Sequence, residues 1–473
     1  MVNGFYPHHA WVEAIFVSGQ QKGQSMAPRQ FDLRAIGTRL RFAQRAAYFR
    51  TLLKWLLLGS VVGVVAGAAA ALFLAALEWV TTIRLANAWL LFLLPAAGFA
   101  ISWVYLKFGR TSGRGNNLIL DELFEFKENL PRRMAPLVLI GTVVGHLFGA
   151  SVGREGTAVQ MGASLADGLR RLLGLNADDR RLMLMAGISG GFGAVFGTPA
   201  AGAIFGMEVQ SIGRTRYDGL IPCVTASVIG DLTARALGAT HTLTPQLPAI
   251  DLDALLLVKM VIAGVLFGLC ALAFIELTHL VKATQARMIA YAPYRPVIGA
   301  LVIIALTLLL GTHDYLGLSI PLIGDALDGT GVLPLAFLAK LVFTAICLGS
   351  GFVGGEVTPL FVMGATLGYT LGGVLGVDTT LMAAAGFVAV FAAASNTPLT
   401  CVVLGMELFG GGALAYILIA CVVAYVSSGH RSIYASQLVG TPKMMVSSLP
   451  RDITLESYRQ EREDRHDHQT VEN

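Results

Sequence analysis

Charge is what this chain is short of. Of its 473 residues only 14% are Asp, Glu, Lys or Arg, while 55% are hydrophobic, and the mean hydropathy is +0.66. Soluble domains carry about 25% charged residues. A water-soluble globule is therefore excluded, and an integral protein of the lipid bilayer is expected. Cysteine is scarce too. Cys223, Cys270, Cys347, Cys401 and Cys421 lie apart in apolar stretches, with no pairing or ligand spacing, which argues against a disulfide framework or a metal site built on them. The formal net charge of +4 is small and dispersed, so no nucleic-acid partner is expected. Residues 1–28 contain no apolar signal-peptide core, and Met1 and Met26 are both candidate starts.

What is present is a succession of apolar runs near the ~20 residues that span a bilayer. They fall around 53–80, 88–107, 134–152, 183–196, 218–237, 254–281, 296–310, 332–349, 379–395 and 412–427. Four more, 156–169, 199–209, 357–374 and 398–409, are short or broken by Gly and Pro. Broken backbone at membrane depth survives only where protein buries it or where it lines a polar cavity. Ahead of the first run stand Arg29, Arg34, Arg39, Arg41, Arg45 and Arg50, an amphipathic basic segment that holds the N-terminus in the cytoplasm by the positive-inside rule. The expected organisation is a cytoplasmic N-terminal segment (1–50), a first transmembrane repeat (51–240), a second (241–438) and a charged cytoplasmic tail (439–473).

Two charges stand out inside this apolar sequence, in Gly153-Arg154-Glu155-Gly156-Thr157. An ionisable residue at membrane depth is costly and is a functional candidate by default; a buried ion pair that fixes helix packing is the plainer reading. Upstream, Gly141, Gly145, Gly149 and Gly153 recur every fourth residue, which predicts one helical ridge for close packing. His146 lies beside it and reads as a packing residue. The polar break at 108–133 holds Gly113-Arg114-Gly115-Asn116-Asn117, whose amides could donate to an anion or simply cap a helix.

The chain repeats itself. Gly197-Thr198-Pro199 followed by Gly206-Met207-Glu208 returns as Asn396-Thr397-Pro398 followed by Gly405-Met406-Glu407. Glu155-Gly156-Thr157 followed by Met161-Gly162-Ala163 returns, with one inserted residue, as Glu356-Val357-Thr358 followed by Met363-Gly364-Ala365. Transporters built from two related halves bind substrate near the midplane, where short broken helices meet. Two helix N-termini facing each other there offer free N–H groups to an anion.

These residues resemble the CLC family of anion channels and proton-coupled antiporters over roughly residues 50–440. The family's GREG motif is Gly153-Arg154-Glu155-Gly156, its second-half GxFxP region is Gly355-Glu356-Val357-Thr358-Pro359, and its late tyrosine is Tyr434. The resemblance implies an all-α polytopic fold of two inverted halves and a homodimer with one pore per subunit. It also makes Glu155 the gating glutamate and proton carrier. Departures from the chloride members point within the family. Thr157 follows GREG in place of Pro, Gly113–Asn117 replaces the serine-bearing GSGIP, Val357 replaces the aromatic, and Val209 stands where chloride antiporters carry an inner glutamate. This pattern is similar to the bacterial fluoride-exporting branch.

The resemblance thus implies a fluoride/proton antiporter of the bacterial inner membrane, not an enzyme. Its anion site would be formed by Asn116 or Asn117, the backbone N–H groups of Glu356 and Val357, and the Tyr434 hydroxyl, supported by Gly153, Arg154, Thr157 and Thr358. Thr358 could also hold a sodium ion; no other cofactor is expected. Glu208 and Glu407 read as structural or surface charges. A chloride channel or chloride/proton antiporter of the same fold is the alternative. An intramembrane serine protease, suggested by Gly187-Ile188-Ser189-Gly190, lacks a histidine base on a neighbouring span; His279, beside Lys282, is the nearest candidate.

Overall fold

The computed structural model describes residues 33–124, 130–241, 244–443 and 452–458, with side chains from residue 45 onward. The two candidate starts, Arg29, the side chains of Arg34, Arg39 and Arg41, and most of the charged tail lie outside that range. The chain divides into two compact units, residues 1–51 and 52–473. In the first, residues 33–51 are helical.

The helices follow the apolar runs closely. They are α1 (Leu33–Ala86), α2 (Leu94–Phe108), α3 (Asn116–Phe124), α4 (Met134–Leu147), α5 (Glu155–Leu172), α6 (Ala177–Phe196), α7 (Pro199–Glu208) and α8 (Leu220–Ala236). After these come α9 (Ala254–Met288), α10 (Arg295–Leu310), α11 (Ile320–Asp328), α12 (Ala336–Ser350), α13 (Val357–Leu375), α14 (Thr379–Ser395), α15 (Pro398–Phe409) and α16 (Leu414–Ser427). Among the described residues, five segments are long and apolar enough to cross a membrane: Arg45–Ala86, Ala88–Phe108, Ala254–Met288, Ala292–Leu310 and Val357–Leu375.

Local chemistry sets the ends. Asn176, Asp253 and Asp378 accept from Asp179, Leu256 and Leu381 N–H as side-chain caps of α6, α9 and α14. Proline opens α7 and α15, where its missing N–H costs nothing.

The repeat is structural as well as sequential, since α5–α8 and α13–α16 recur in the same order. In each half the broken helix crosses a central helix backbone to backbone. A Cβ at Gly162 would stand 2.2 Å from Gly187 O, and one at Gly364 would stand 2.0 Å from Gly386 O, so only hydrogen fits. The central helices α6 and α14 are buried around nearly their whole circumference from Met183 to Val195 and from Leu381 to Ser395, as expected of core helices with an apolar perimeter. Both end on a left-handed residue before Thr-Pro: Gly197 (φ 71) and Asn396 (φ 59). A short parallel pair, β1 (Ser211–Ile212) with β2 (Leu438–Val439), ties the chain after α16 back to the end of α7.

The structure corrects one reading and adds two helices. The four-glycine ridge does not form, because α4 stops at Leu147 and Gly149 turns the chain at φ 92. Gly153 then belongs to the extended approach to α5, where its period-four spacing has no helical meaning. The polar break contains a helix, α3, which opens at Asn116. Also unforeseen is α11, too short to stand out as an apolar run.

Candidate functional site

The two broken helices meet head to head. Gly153 N–H donates to Gly355 O (2.6 Å) and Gly355 N–H to Gly153 O (2.8 Å), so the strands entering α5 and α13 form a one-residue antiparallel bridge. Side chains are excluded there: a Cβ at Gly355 would lie 2.6 Å from Gly156 N, and one at Gly153 would lie 2.9 Å from Gly355 O. The glycines of both motifs are therefore required for contact between the halves.

Glu155, 1% exposed, crosses this junction. Its Oε2 accepts the Thr358 N–H (3.0 Å) and the Thr358 hydroxyl. On the other side Arg154 N–H donates to Oε2 (3.3 Å) and Arg154 Nε to Oε1 (3.2 Å). A carboxylate from the first half thus occupies the N-terminal opening of a helix in the second, where free N–H groups and the helix dipole favour negative charge. The ion pair with Arg154 exists, but the cross-half bonds to Thr358 go beyond packing.

Asn116, at the head of α3, converges on the same point. A methyl added to Gly156 would meet Asn116 Nδ2 at 3.2 Å and Glu356 Oε2 at 3.5 Å, so the amide and a second carboxylate flank the Glu155 helix. Asn116 Oδ1 and Glu356 Oε2 are both sealed from solvent without a hydrogen-bond partner among the described residues. Asn117 is engaged elsewhere, accepting the Ser436 N–H (3.1 Å). Sequence reasoning used Glu356 only for its backbone N–H and missed its side chain; a second charge in an apolar stretch was the available signal. Val357 is buried at the first turn of α13, and the Thr157 hydroxyl pairs with Thr142 (2.8 Å), joining α5 to α4.

Tyr434 reaches the site through the return of the chain after α16. Ile433 N–H donates to Ala394 O (2.9 Å), and Asn396 Nδ2 holds both Arg431 O (3.0 Å) and Gln437 Oε1 (2.9 Å). The left-handed cap of α14 therefore anchors the loop that carries the tyrosine. At the far ends of α3 and α5, buried Arg180 donates to Glu122 and Asp167 (2.9 Å each), fixing the two helices that present Asn116 and Glu155.

Two cavities approach this junction. One of about 480 Å³ is lined by Arg114, Asn116, Lys282, Arg295, Glu356 and Tyr434, among others. Another of about 350 Å³ is lined by Glu78, Thr82, Arg154 and His241, among others. Arg154, bonded to Glu155, lines the second, and Glu356, at the head of α13, lines the first. A small apolar gap is lined by Asn116, Tyr434 and the buried Val209, among others.

The surroundings of Thr358 suit an anion. Its N–H and the head of α13 present positive dipole ends, which favour negative charge. Ser189 in α6 is a packing residue whose hydroxyl donates to Ala203 O in α7 (3.4 Å).

The family model described as voltage gated chloride channel matches residues 97–429. A protein of Pseudomonas syringae pv. tomato named chloride/fluoride channel protein is 47% identical over 413 residues, covering 86% of this chain and 91% of that one. The solved structure of a CLC-type fluoride/proton antiporter superposes with a TM-score of 0.79 at 34% identity, covering 82% of this chain and 98% of the other. A slow cyanobacterial chloride/proton antiporter shares the fold, with a TM-score of 0.68 at 21% identity over 79% of this chain and 94% of that one. The head-to-head helices, the glutamate between them and these likenesses agree, and the chain belongs to the CLC family, in the branch of the chloride/fluoride proteins.

Proposed function

We propose that this protein exports fluoride from the cytoplasm in exchange for protons moving inward, with Glu155 as the moving part. One observation carries the reading: the Glu155 carboxylate is bound by Thr358 N–H and hydroxyl at the opening of α13. A carboxylate there stands where a transported anion would stand and uses the same donors. Protonation removes the charge that the helix dipole holds, frees the donors and lets fluoride enter. Re-ionisation returns the side chain and expels the anion. Fluoride is small and strongly hydrated, so it needs several short donors. Thr358, the Asn116 amide, the N–H groups opening α13 and the Tyr434 hydroxyl would supply them. Neutral HF crosses membranes and dissociates in a less acidic cytoplasm, which is why a proton-driven exporter is useful.

Glu155→Gln tests this directly. In liposomes the variant should lose proton-driven fluoride transport; uphill fluoride movement on a pH gradient by Glu155→Gln would overturn the mechanism. Chloride exchange on the same fold is the second reading, favoured by the word chloride in the name of the Pseudomonas relative. Fluoride against chloride efflux from one preparation separates them. Buried apolar Val209, in place of an inner carboxylate, supports fluoride.

The proposal includes the bacterial inner membrane, with both termini cytoplasmic, on the strength of the basic segment before the first span. It also includes a homodimer. The exposed stripe Leu220, Val224, Val228 and Leu232 on α8 offers a face to a second copy, and the mass of the detergent-solubilised protein tests it.

A further inference from the structure

The anion pathway leaves one buried charge unused. Lys340 lies in α12, an apolar helix, and is 0% exposed. Its ammonium donates to Gly317 O (2.8 Å), Ser319 Oγ (2.9 Å), Ser151 Oγ (3.0 Å) and Tyr315 O (3.3 Å). Among the described residues no carboxylate lies within ion-pair distance of it. A buried ammonium without a counter-ion is tolerated only where polar groups replace its water. Lysine has three protons to give, yet four oxygens converge on it from two separate segments. That is the shell of a cation.

The shell is shaped on both sides. On one, Gly317 (φ 62) and Ser319 (φ 57) take left-handed backbone, which for Ser319 is a strained conformation. The bend brings two carbonyls and a hydroxyl onto one point. On the other, Ser151 is gripped by one face of α12: Lys340 and Thr344 (3.0 Å) at its hydroxyl, and Cys347 Sγ (3.3 Å) at its N–H. Ser151 stands four residues before Glu155, on the strand that leads through Gly153 into α5.

We propose that Lys340 is a tethered monovalent cation, filling an oxygen-lined cation site between the 315–319 turn and Ser151 and so positioning the strand that carries Glu155. The N–O distances exceed the roughly 2.0–2.6 Å of magnesium or calcium, and the shell has no carboxylate to balance a divalent ion. Its ligand class is an ion the size of ammonium or potassium. Lys340 lines neither cavity and is a positioning residue. The inference holds whichever anion is carried.

The test removes the tether and supplies the ion. Lys340→Ala protein is solubilised and melted in N-methylglucamine, sodium, potassium or ammonium salts of one anion. The variant should melt below the parent in N-methylglucamine and regain at least about 3 °C in about 100 mM potassium or ammonium, while the parent ignores the cation. Its reconstituted anion exchange should fall about tenfold, the effect of 1.4 kcal/mol, and recover with potassium. Recovery of folded Lys340→Ala only from potassium or ammonium buffers also supports the proposal. A melting temperature that is the same in all four salts, or that equals the parent's in N-methylglucamine, overturns it, as does failure to recover folded protein from any of them. Because melting is read without fluoride, failure here is distinguishable from failure of the transport reading.

Discussion

Glu208 and Glu407 cap each other's helices across the repeat. At the end of α7, Glu208 accepts the N–H groups of Leu399 (3.0 Å) and Thr400 (2.8 Å) and the Thr400 hydroxyl (2.6 Å), all at the head of α15. Near the end of α15, Glu407 accepts Ala200 (2.9 Å) and Ala201 (2.7 Å) at the head of α7. Both proline-opened helices lack side-chain N-caps of their own, so each half supplies the other's missing acceptor. These glutamates are structural, and Glu208 is not a surface charge: it is 6% exposed.

That reciprocity predicts unequal costs. Glu208→Ala leaves buried N–H groups and a hydroxyl unpaired and should cost about 2–3 kcal/mol. Glu407→Ala uncovers groups nearer solvent and should cost about 1 kcal/mol. Thermal unfolding in detergent measures both. Coupled transport per folded molecule should survive in each, and its loss in Glu208→Ala at intact stability would make that residue a proton carrier.

Asn396 offers a cleaner substitution. Its φ of 59 suits glycine, which the first half has at Gly197 (φ 71), so Asn396→Gly preserves the backbone. Only the amide bonds to Arg431 O and Gln437 Oε1 are lost. The expected result is a folded protein whose apparent fluoride affinity drops about tenfold, from one to two buried hydrogen bonds of about 1 kcal/mol each, because Tyr434 is no longer held. Concentration-dependent fluoride efflux checks it. Unchanged affinity would mean that the 431–437 loop is held without this side chain.

Much of this was legible beforehand, for physical reasons. Apolar runs must be helices in a bilayer, so α9, α14, α15 and α16 begin or end within a few residues of the expected bounds. The repeat was legible because both halves need glycine at the same crossings. The Glu155 contact with Thr358, 203 residues away, could be anticipated only as two facing helix openings. What stayed hidden depended on tertiary contact. Gly149 breaks α4 through one dihedral, and Asn396 gains its role only when the chain after α16 folds back. Lys340 sits inside a run whose hydropathy hides it, because its oxygen partners come from turns 21 to 189 residues distant.

Stability should also respond to pH outside the spanning segments. Lys443, beyond β2, donates to Tyr425 O (2.6 Å) and Ser428 Oγ (3.0 Å), and burial pushes its ammonium from 10.5 down to about 7. Between those values the unfolded chain holds a proton that the folded chain has released, so stability rises with pH across that window. Below about pH 7 both states are charged and the burial cost is fully felt. Lys443→Met should flatten the rise in melting temperature between about pH 7 and 9, an effect bounded by about 1.4 kcal/mol per pH unit. An unchanged slope would assign the rise to other groups.

Asn116 and Asn117 were indistinguishable in sequence, and the structure gives them different work. Asn116 has an unpartnered buried Oδ1 and an amide nitrogen beside Gly156, at the junction that Glu155 crosses. Asn117 spends its Oδ1 on the Ser436 N–H, a tie between α3 and the returning chain. Asn116→Ala removes a donor from the proposed anion site, and one hydrogen bond to a charged ion corresponds to about 1.5–3 kcal/mol. Fluoride affinity should then fall about tenfold or more with little change in melting temperature, since the lost oxygen had no partner. Asn117→Ala should do the reverse, lowering the melting temperature by a few degrees for about 1 kcal/mol while fluoride affinity stays within about twofold. Fluoride binding by isothermal titration and melting on the same two preparations gives a two-by-two comparison. If both variants lose affinity equally, the anion contacts the pair through the head of α3 as a whole, and the separate assignment of Asn116 fails.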